Sequence, residues 1–424
     1  MSRIADSIFD QTAEWWMASA PDGRPHYTLY PYELMEVYGE TGRSGWHYRR
    51  TQGVAKWGDV VPFTRKLKTG NAAHMRGVSL MPVASLIATE ADDDVCPLDA
   101  IELTRFLKSE PRSIVDVANH FDCSPNRVSD AVAFMRSQHL IIDETAAGIV
   151  MGKSLRPMDT AHRIDTAQFA ETEFCIGVTA DNHIGSKYER NDVLDDLFTR
   201  YAAAGVTDVY CAGNWIDGSG RKFNQHDVYV HGIDNQIANF LEKWPRKPGI
   251  KSHILSGDDH EGWFVQDCHV NVGHVLQDEA RIAGRDDIFD LGYMERDVEF
   301  VAAGGTATMR VAHMGGGTGY ALSYSMQKYA ESLQGGEKPQ IVIGGHYHKF
   351  DYNYAREIHL IQPGCTEDQT PFMRKKKLQA MLGGCILWIR QNELGILTSV
   401  KIEWMPYYDK KFYAYQWQGA RASE

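Results

Sequence analysis

Five stretches of this chain place metal-ligand side chains directly after short apolar runs. "TADNHIG" carries Asp181 and His183, and "IGGHYHKF" carries His346 and His348. In each, the i, i+2 spacing turns both side chains to one side where a strand unravels. "RVAHMGGG" adds His313, "YCAGNWIDG" adds Asn214 and Asp217, and "LSGDDHEGW" adds Asp258, Asp259, His260 and Glu261. A single strand-end histidine is more often a hydrogen-bonded core or surface residue than a ligand. Five such sites in series argue against coincidence. Mixed imidazole and carboxylate sets suit Mn, Fe or Zn. Two such ions about 3.5–4 Å apart clamp the oxygens of an in-line phosphoryl displacement.

These residues need elements that bring them together. From about residue 171 onward, short apolar runs alternate with amphipathic stretches. "EFCIGVTA", "DVYCAG", "SHILSG" and "PQIVIGG" read as strands, with "VEFVAA" and "TATMRVAHM" as a hairpin. "NDVLDDLFTRYAAAG" is predicted helical, with Val193, Leu194, Leu197 and Tyr201 inward; "HGIDNQIANFLEKW" and "YALSYSMQKYAESL" follow suit. Such alternation predicts an α/β layered domain with its chemistry at the strand ends. "GCILWI" and "SVKIEWM" add a sheet-rich C-terminal portion, so this domain is placed at residues 171–424. Residues 95–155 read as three short helices and a hairpin, with Ser113 and Ser124 as N-caps and Pro125 in a first turn. That order resembles a winged helix-turn-helix, a small α+β module, and would put the helix bearing Arg127 and Arg136 into a DNA groove, the alternative being a protein-protein or interdomain spacer. Residues 1–94, rich in Trp, Tyr, Gly and Arg, are assigned no fold.

Composition narrows the classes. At 424 residues, two or three domains are expected. No run approaches the ~18 apolar residues that span a bilayer, and "MSRIADSIFDQTAEWW" does not read as a signal peptide. Seven cysteines without CxxC spacing fit a reducing, cytoplasmic setting. With 44 basic and 56 acidic residues the formal charge is −12, so any nucleic-acid contact must come from local basic patches or bound cations. Candidate patches are Arg221 and Lys222, just beyond Asn214, and "RKKK" at 374–377, although such runs are usually only solvated. "GGGTGY" after His313 lacks the ending of a nucleotide-binding P-loop; it could let backbone approach a phosphate, with a plain flexible loop as the alternative. His226, His231, His269 and His274 are expected in helices as structural residues.

The order of the chemical blocks resembles the calcineurin-like metallophosphoesterase superfamily, whose pattern runs DxH, GD, GNH with a following acid, a lone His, then GHxH. Here these read "DNH" (181–183), "GN" (213–214), "DHE" (259–261), His313 and "GHYH" (345–348), over roughly residues 171–365. The resemblance implies a layered β-sandwich flanked by helices. It implies one metal held by Asp181, His183 and His348, and a second held by Asp259, His313 and His346, with Asn214 bridging. His260 would protonate the leaving oxygen or steady transition-state charge. The cofactors implied are two divalent ions, Mn²⁺ ahead of Fe or Zn. Two positions depart from the pattern: Asn214 stands where the family has a bridging Asp, and Asp259 where it has Asn. We expect a compensated swap that relocates one anion; the alternatives are a bridging role for Asp217 or Asp258, or a weakened site. The leading expectation is a phosphodiester hydrolase acting on DNA, nearest the repair-type nucleases. A protein or small-molecule phosphatase, or a weakened DNA-binding scaffold, are the alternatives. Expected partners are DNA and, in self-association, a homo-oligomer; a membrane is not among them.

Overall fold

A computed structural model describes residues 17–21, 26, 96–220, 224, 226–317 and 319–407. Almost all of residues 1–94, together with Arg221 and Lys222, therefore lie outside the described residues. Contacts divide the chain into two compact units, which meet in sequence around residues 138–152.

In the smaller unit, α1 (Ala100–Lys108), α2 (Ile114–His120) and α3 (Pro125–Ser137) precede β1 (Ile142–Thr145) and β2 (Gly148–Met151). Each helix starts where a side chain satisfies amides that the first turn leaves unpaired. Asp99 accepts from the amides of Ile101 and Glu102 at 2.9 Å. Ser113 and Asp116 form a reciprocal capping box, and Ser124 caps a helix whose first turn holds Pro125. The apolar faces close on one another, with Leu103, Leu107, Val117, Val128, Ala131 and Met135 buried. β1 and β2 pair antiparallel. Arg127 and Arg136 are nine residues apart on α3, so at 3.6 residues per turn they point to opposite sides and only one can face a given groove. Arg136 donates to the Ile142 carbonyl and to Glu144, both at 2.9 Å.

The larger unit stacks two six-stranded sheets. One runs β14 (Leu397–Pro406), β13 (Gly383–Gln391), β4 (Glu173–Thr179), β5 (Asp208–Ala212), β6 (Lys251–Ser256), β7 (Ile288–Tyr293). The other runs β11 (Phe350–Ala355), β12 (Ile358–Pro363), β10 (Ile341–Gly345), β9 (Thr306–His313), β8 (Glu295–Val301), β3 (His162–Asp165). Ile176, Val178 and Leu255 of the first sheet share one core with Phe300, Met309, Val311 and Ile343 of the second. This is a sandwich with helices outside. α4 (Asn191–Ala204) packs on the first sheet, where Tyr201 donates to the Val178 carbonyl at 2.8 Å. Its ring lies so close to Gly177 that a Cβ there would stand 3.1 Å away. On the second sheet, α8 (Tyr324–Ser332) buries Met326 and Ala330 against Val342 and Leu360. α5 (Ile233–Lys243), α6 (Gly262–Cys268) and α7 (Val272–Ile282) complete the first sheet's cover, and α9 (Pro371–Lys376) precedes β13.

The strands and helices read from periodicity from residue 171 onward are present. β3 was not foreseen; it pairs parallel with β8, and its burial alternates too weakly over four residues to stand out. His226 and His231 lie in irregular chain, not in helices, because the surrounding segment is broken by Gly218, Gly220 and Gly232. His269 ends α6 in a left-handed turn, and His274 is helical as expected. Among the described residues no helix is long and apolar enough to cross a membrane.

The arrangement has one functional consequence. β4, β5 and β6 run parallel, as do β9 and β10, so their carboxyl ends gather five chemical segments at one edge of the sandwich. Leu197, on the inner face of α4, is fully buried and belongs to none of these segments. Leu197→Ala is expected to lower unfolding free energy by about 2–5 kcal/mol, read by chemical denaturation. Cation affinity of the folded protein should not change.

Candidate metal centre

Asp181, His183 and His348 form one group of potential ligands, and Asp259, His313 and His346 a second; within each, the ligand atoms lie within 4.8 Å of one another. Segments that are distant in sequence thus meet in each group. In the first group the Nε2 atoms of His183 and His348 face each other at 3.2 Å. His183 commits Nδ1–H to the Asp217 carboxylate at 3.1 Å, which leaves its Nε2 as a lone pair. Burial, with His183, His260 and His346 nearby, holds the His348 imidazole neutral. Both Asp181 oxygens accept the His346 amide at 2.9 Å, and one also accepts the His348 amide at 3.3 Å, so the carboxylate fixes the loop that carries both histidines.

The second group is built around His313. Its Nδ1–H donates to the Ala212 carbonyl at 2.8 Å, and its Nε2 lies 3.0 Å from Asp259 Oδ1. His346 repeats the pattern: Nε2–H donates to the Gly316 carbonyl at 3.0 Å, while Nδ1 lies 3.2 Å from the other Asp259 oxygen without hydrogen-bond geometry. Three glycines make room for the His313 ring. A Cβ at Gly213 would stand 2.2 Å from Nδ1, one at Gly257 2.5 Å from Cδ2, and one at Gly345 3.0 Å from Nδ1. Gly213 also has φ of +90°, which glycine adopts without strain.

Asn214 is strung between the groups. Its carbonyl accepts the His183 amide at 2.9 Å, and its own amide donates to Glu261 Oε1 at 2.9 Å. Its side-chain oxygen is buried without a hydrogen-bond partner. The acid after His260 therefore has a role that the sequence did not announce: Glu261 ties the Asn214 and Gly257 turns together. Asp217 backs His183 and lies 3.2 Å from His260 Nδ1, whose ring also stacks on Trp263. That position fits a carboxylate orienting two imidazoles rather than a bridge, as commonly supports ligating histidines. Asp258 belongs to neither group among the described residues. Glu367, also unforeseen, approaches His183 and His348 to 3.9 Å. Its only sequence signal was the one used elsewhere, an acid just past a strand end.

The backbone is strained here. Asp181, His183, Asn214, His260, His346 and His348 all adopt positive φ, between 46° and 92°. Such conformations cost about 1–3 kcal/mol each and persist where the surroundings over-determine them, most often at functional sites.

Electrostatics also point to missing positive charge. Burial opposes a charge on His313, but Asp259 outweighs it and pushes the pKa up to about 9. Burial likewise opposes His260⁺, but hydrogen bonding to Asp217 and the nearby Asp259 raise it to about 10. Burial raises Glu261 and Glu367 each to about 7. A carboxylate whose two oxygens face two imidazole lone pairs requires either protons or cations between them. Buried unpartnered oxygens on Asn214, Asp217 and Glu261 are consistent with cations. The donor set of imidazole, carboxylate and amide suits Mn, Fe or Zn. The residues fit a pair of divalent ions, Asp181, His183 and His348 holding one, and Asp259, His313 and His346 the other, with Asn214 between. A cavity of about 510 Å³ opens over them, lined further by Asp227, Phe372, Met373 and Lys376.

No protein-family model matches the chain, and no curated protein does. Solved structures do. An archaeal phosphodiesterase aligns over 55% of this chain and 100% of its own at 12% identity, TM-score 0.29. Zinc-complexed Vps29 from Entamoeba histolytica aligns over 55% and 99% at 15% identity, TM-score 0.28. A predicted phosphoesterase from Streptococcus pneumoniae aligns over 56% and 100% at 14% identity, TM-score 0.27. Similarity at this level carries neither activity nor substrate across.

The two buried glutamates set a pH dependence. Their folded pKa values near 7 lie above the usual 4.5. The stability gained from the neutral carboxyls is complete below about pH 4.5 and is lost as pH rises through 7. Metal-free protein is therefore expected to melt at lower temperature at pH 8 than at pH 5.5. Glu261→Gln or Glu367→Gln should flatten the difference in a chelator-treated thermal scan.

Proposed function

We propose that the chain is a dinuclear-metal phosphodiester hydrolase of the calcineurin-like metallophosphoesterase type, acting on DNA as a nuclease. The observation that carries the hydrolase reading is the pair of opposed ligand groups at the carboxyl ends of two packed sheets, held in a backbone that strains at six of their residues and neighbours. When bound, the cations supply the positive charge that draws a phosphate into an otherwise acidic cavity and offsets charge gathering on its oxygens. His260 is the acid. Asp217 holds its Nδ1 side, so the transferable proton sits at Nε2, and a pKa pushed up to about 10 keeps it protonated at neutral pH. Cations beside it would lower that value. Lys376, on the cavity wall, carries a charge suited to a non-bridging phosphate oxygen.

DNA is favoured over a small phosphoester by two features. Residues 96–151 form three helices and a hairpin, the element order of a winged helix-turn-helix, with Arg127 exposed near the start of α3. The basic run 374–377 is exposed at the end of α9, where its own Lys376, with Phe372 and Met373 just before it, lines the cavity and suits a nucleic-acid backbone. Incubation with Mn²⁺ and labelled single- or double-stranded DNA tests this reading. Degradation is expected; turnover of a small chromogenic ester alone would make the chain a phosphatase, and DNA binding without hydrolysis or metal a scaffold.

Two variant sets probe the chemistry. His260→Asn should lower kcat by about 10²–10⁴-fold and abolish the alkaline limb of the pH–rate profile, with metal content unchanged. Asn214→Asp combined with Asp259→Asn restores the superfamily's usual placement of amide and carboxylate. The double variant should keep metal and activity, and each single exchange should do worse. Complete loss in the double variant would count against a compensated swap.

A further inference from the structure

Asn214 leaves the first ligand group with one carboxylate of its own, Asp181, whose two oxygens already accept backbone amides. Asp217 groups with His183 and His260 rather than with Asp181 and His348, and its Oδ1 is engaged with both imidazoles. Glu261 is committed through one oxygen to the amides of Asn214 and Gly257. Glu367 stands in the remaining position. Its side chain is 3% exposed, and Oε2 lies 3.9 Å from both His183 Nε2 and His348 Nδ1. The latter nitrogen is buried without a hydrogen-bond partner.

The position of Glu367 is built, not incidental. Ser186 donates to its Oε1 at 2.7 Å. Its backbone bridges to Glu189, the next amide donates to the Tyr188 carbonyl at 2.8 Å, and the preceding amide donates to the Asp181 carbonyl at 3.2 Å. Glu367 is thus tethered on both sides to the loop that carries Asp181 and His183. A buried carboxylate without a cationic partner of full charge is costly.

We propose that Glu367 is a ligand of the first cation position, adding a carboxylate to Asp181, His183 and His348 that the superfamily pattern does not contain. This deepens the hydrolase reading and rests on it. Ligand atoms about 2.1 Å from one ion at right angles lie about 3 Å apart, so the 3.9 Å separation from His183 Nε2 closes with a small rotation of a flexible side chain. The exchange of bridging Asp for Asn is then offset from two directions, by Asp259 on the second position and by Glu367 on the first.

Calorimetric titration of the chelator-stripped full chain with Mn²⁺ tests this. Wild type should bind two ions. Glu367→Gln should weaken one of them by about 10–100-fold and spare the other. Glu367→Asp, which keeps the charge on a shorter arm, should fall between the two. His313→Ala should instead weaken the second ion, and in the double variant both losses should appear. Thermal melts of each stripped variant check folding, and Glu367→Asp serves if the Gln variant does not fold. Two ions bound with wild-type affinity by Glu367→Gln would overturn the assignment while leaving the hydrolase reading intact. A wild-type chain that binds no Mn²⁺ would overturn both.

Discussion

The Asp259 carboxylate faces two imidazole nitrogens, and each imidazole has already spent its other nitrogen as a donor to a backbone carbonyl. In a neutral protein that places lone pairs against negative oxygens in a largely buried setting. Something positive must lie between them. The same holds 3.2 Å apart between His183 and His348, where an Asp217 hydrogen bond fixes which nitrogen of His183 is bare. Without cations the chain can answer only by protonation, which is why His313 and His260 move up so far. With cations, each lone pair and each carboxylate oxygen becomes a ligand. The packed sheets, the glycine cradle and the strained turns all serve to hold that opposition in place.

The fold makes this affordable because it concentrates the cost. Two sheets share one apolar core, and their parallel strands end together, so five loops need to be shaped and the rest need only pack. His313 ends its strand, and the close approach of Gly213, Gly257 and Gly345 shows how little space the neighbouring strand ends leave around its ring. A side chain at Gly213 or Gly257 would collide with the ring, and one at Gly345 would first meet the Ala212 carbonyl at 2.0 Å. Left-handed backbone at Asp181, His183, Asn214, His260, His346 and His348 aims side chains into the same space. Glu261 and Glu367 add buried carboxyls that are stable only when neutral or when faced by positive charge.

Much of this is legible in the sequence because most of these ligands follow a short continuous apolar run that ends in a turn. Val178, Ala212, Leu255, Val311 and Ile343 announce buried strands, and Asp181, Asn214, Asp259, His313 and His346 follow them within four residues. Helix α4 was readable for the same reason, its four named apolar residues falling on one face. Less was legible where a residue's meaning depends on distant partners. Asp217 and Asp258 look alike in sequence; only the fold puts one behind His183 and His260 and leaves the other outside both groups. Glu261 reads as an acid of the GDDHE run, yet it acts as a brace between two turns. Glu367 follows a strand end that lies beyond the last block of the superfamily pattern, so the sequence alone gives it no role. Arg127 and Arg136 looked like a pair until helical geometry set them on opposite sides.

The most direct test of the central claim is electron paramagnetic resonance on the chain loaded with two equivalents of Mn²⁺. Two ions held about 3.5–4 Å apart should give an exchange-coupled multiline signal. It should be lost in His183→Ala and in His313→Ala, each of which breaks one ligand group. A spectrum of isolated Mn²⁺, unchanged by either substitution, would contradict the account.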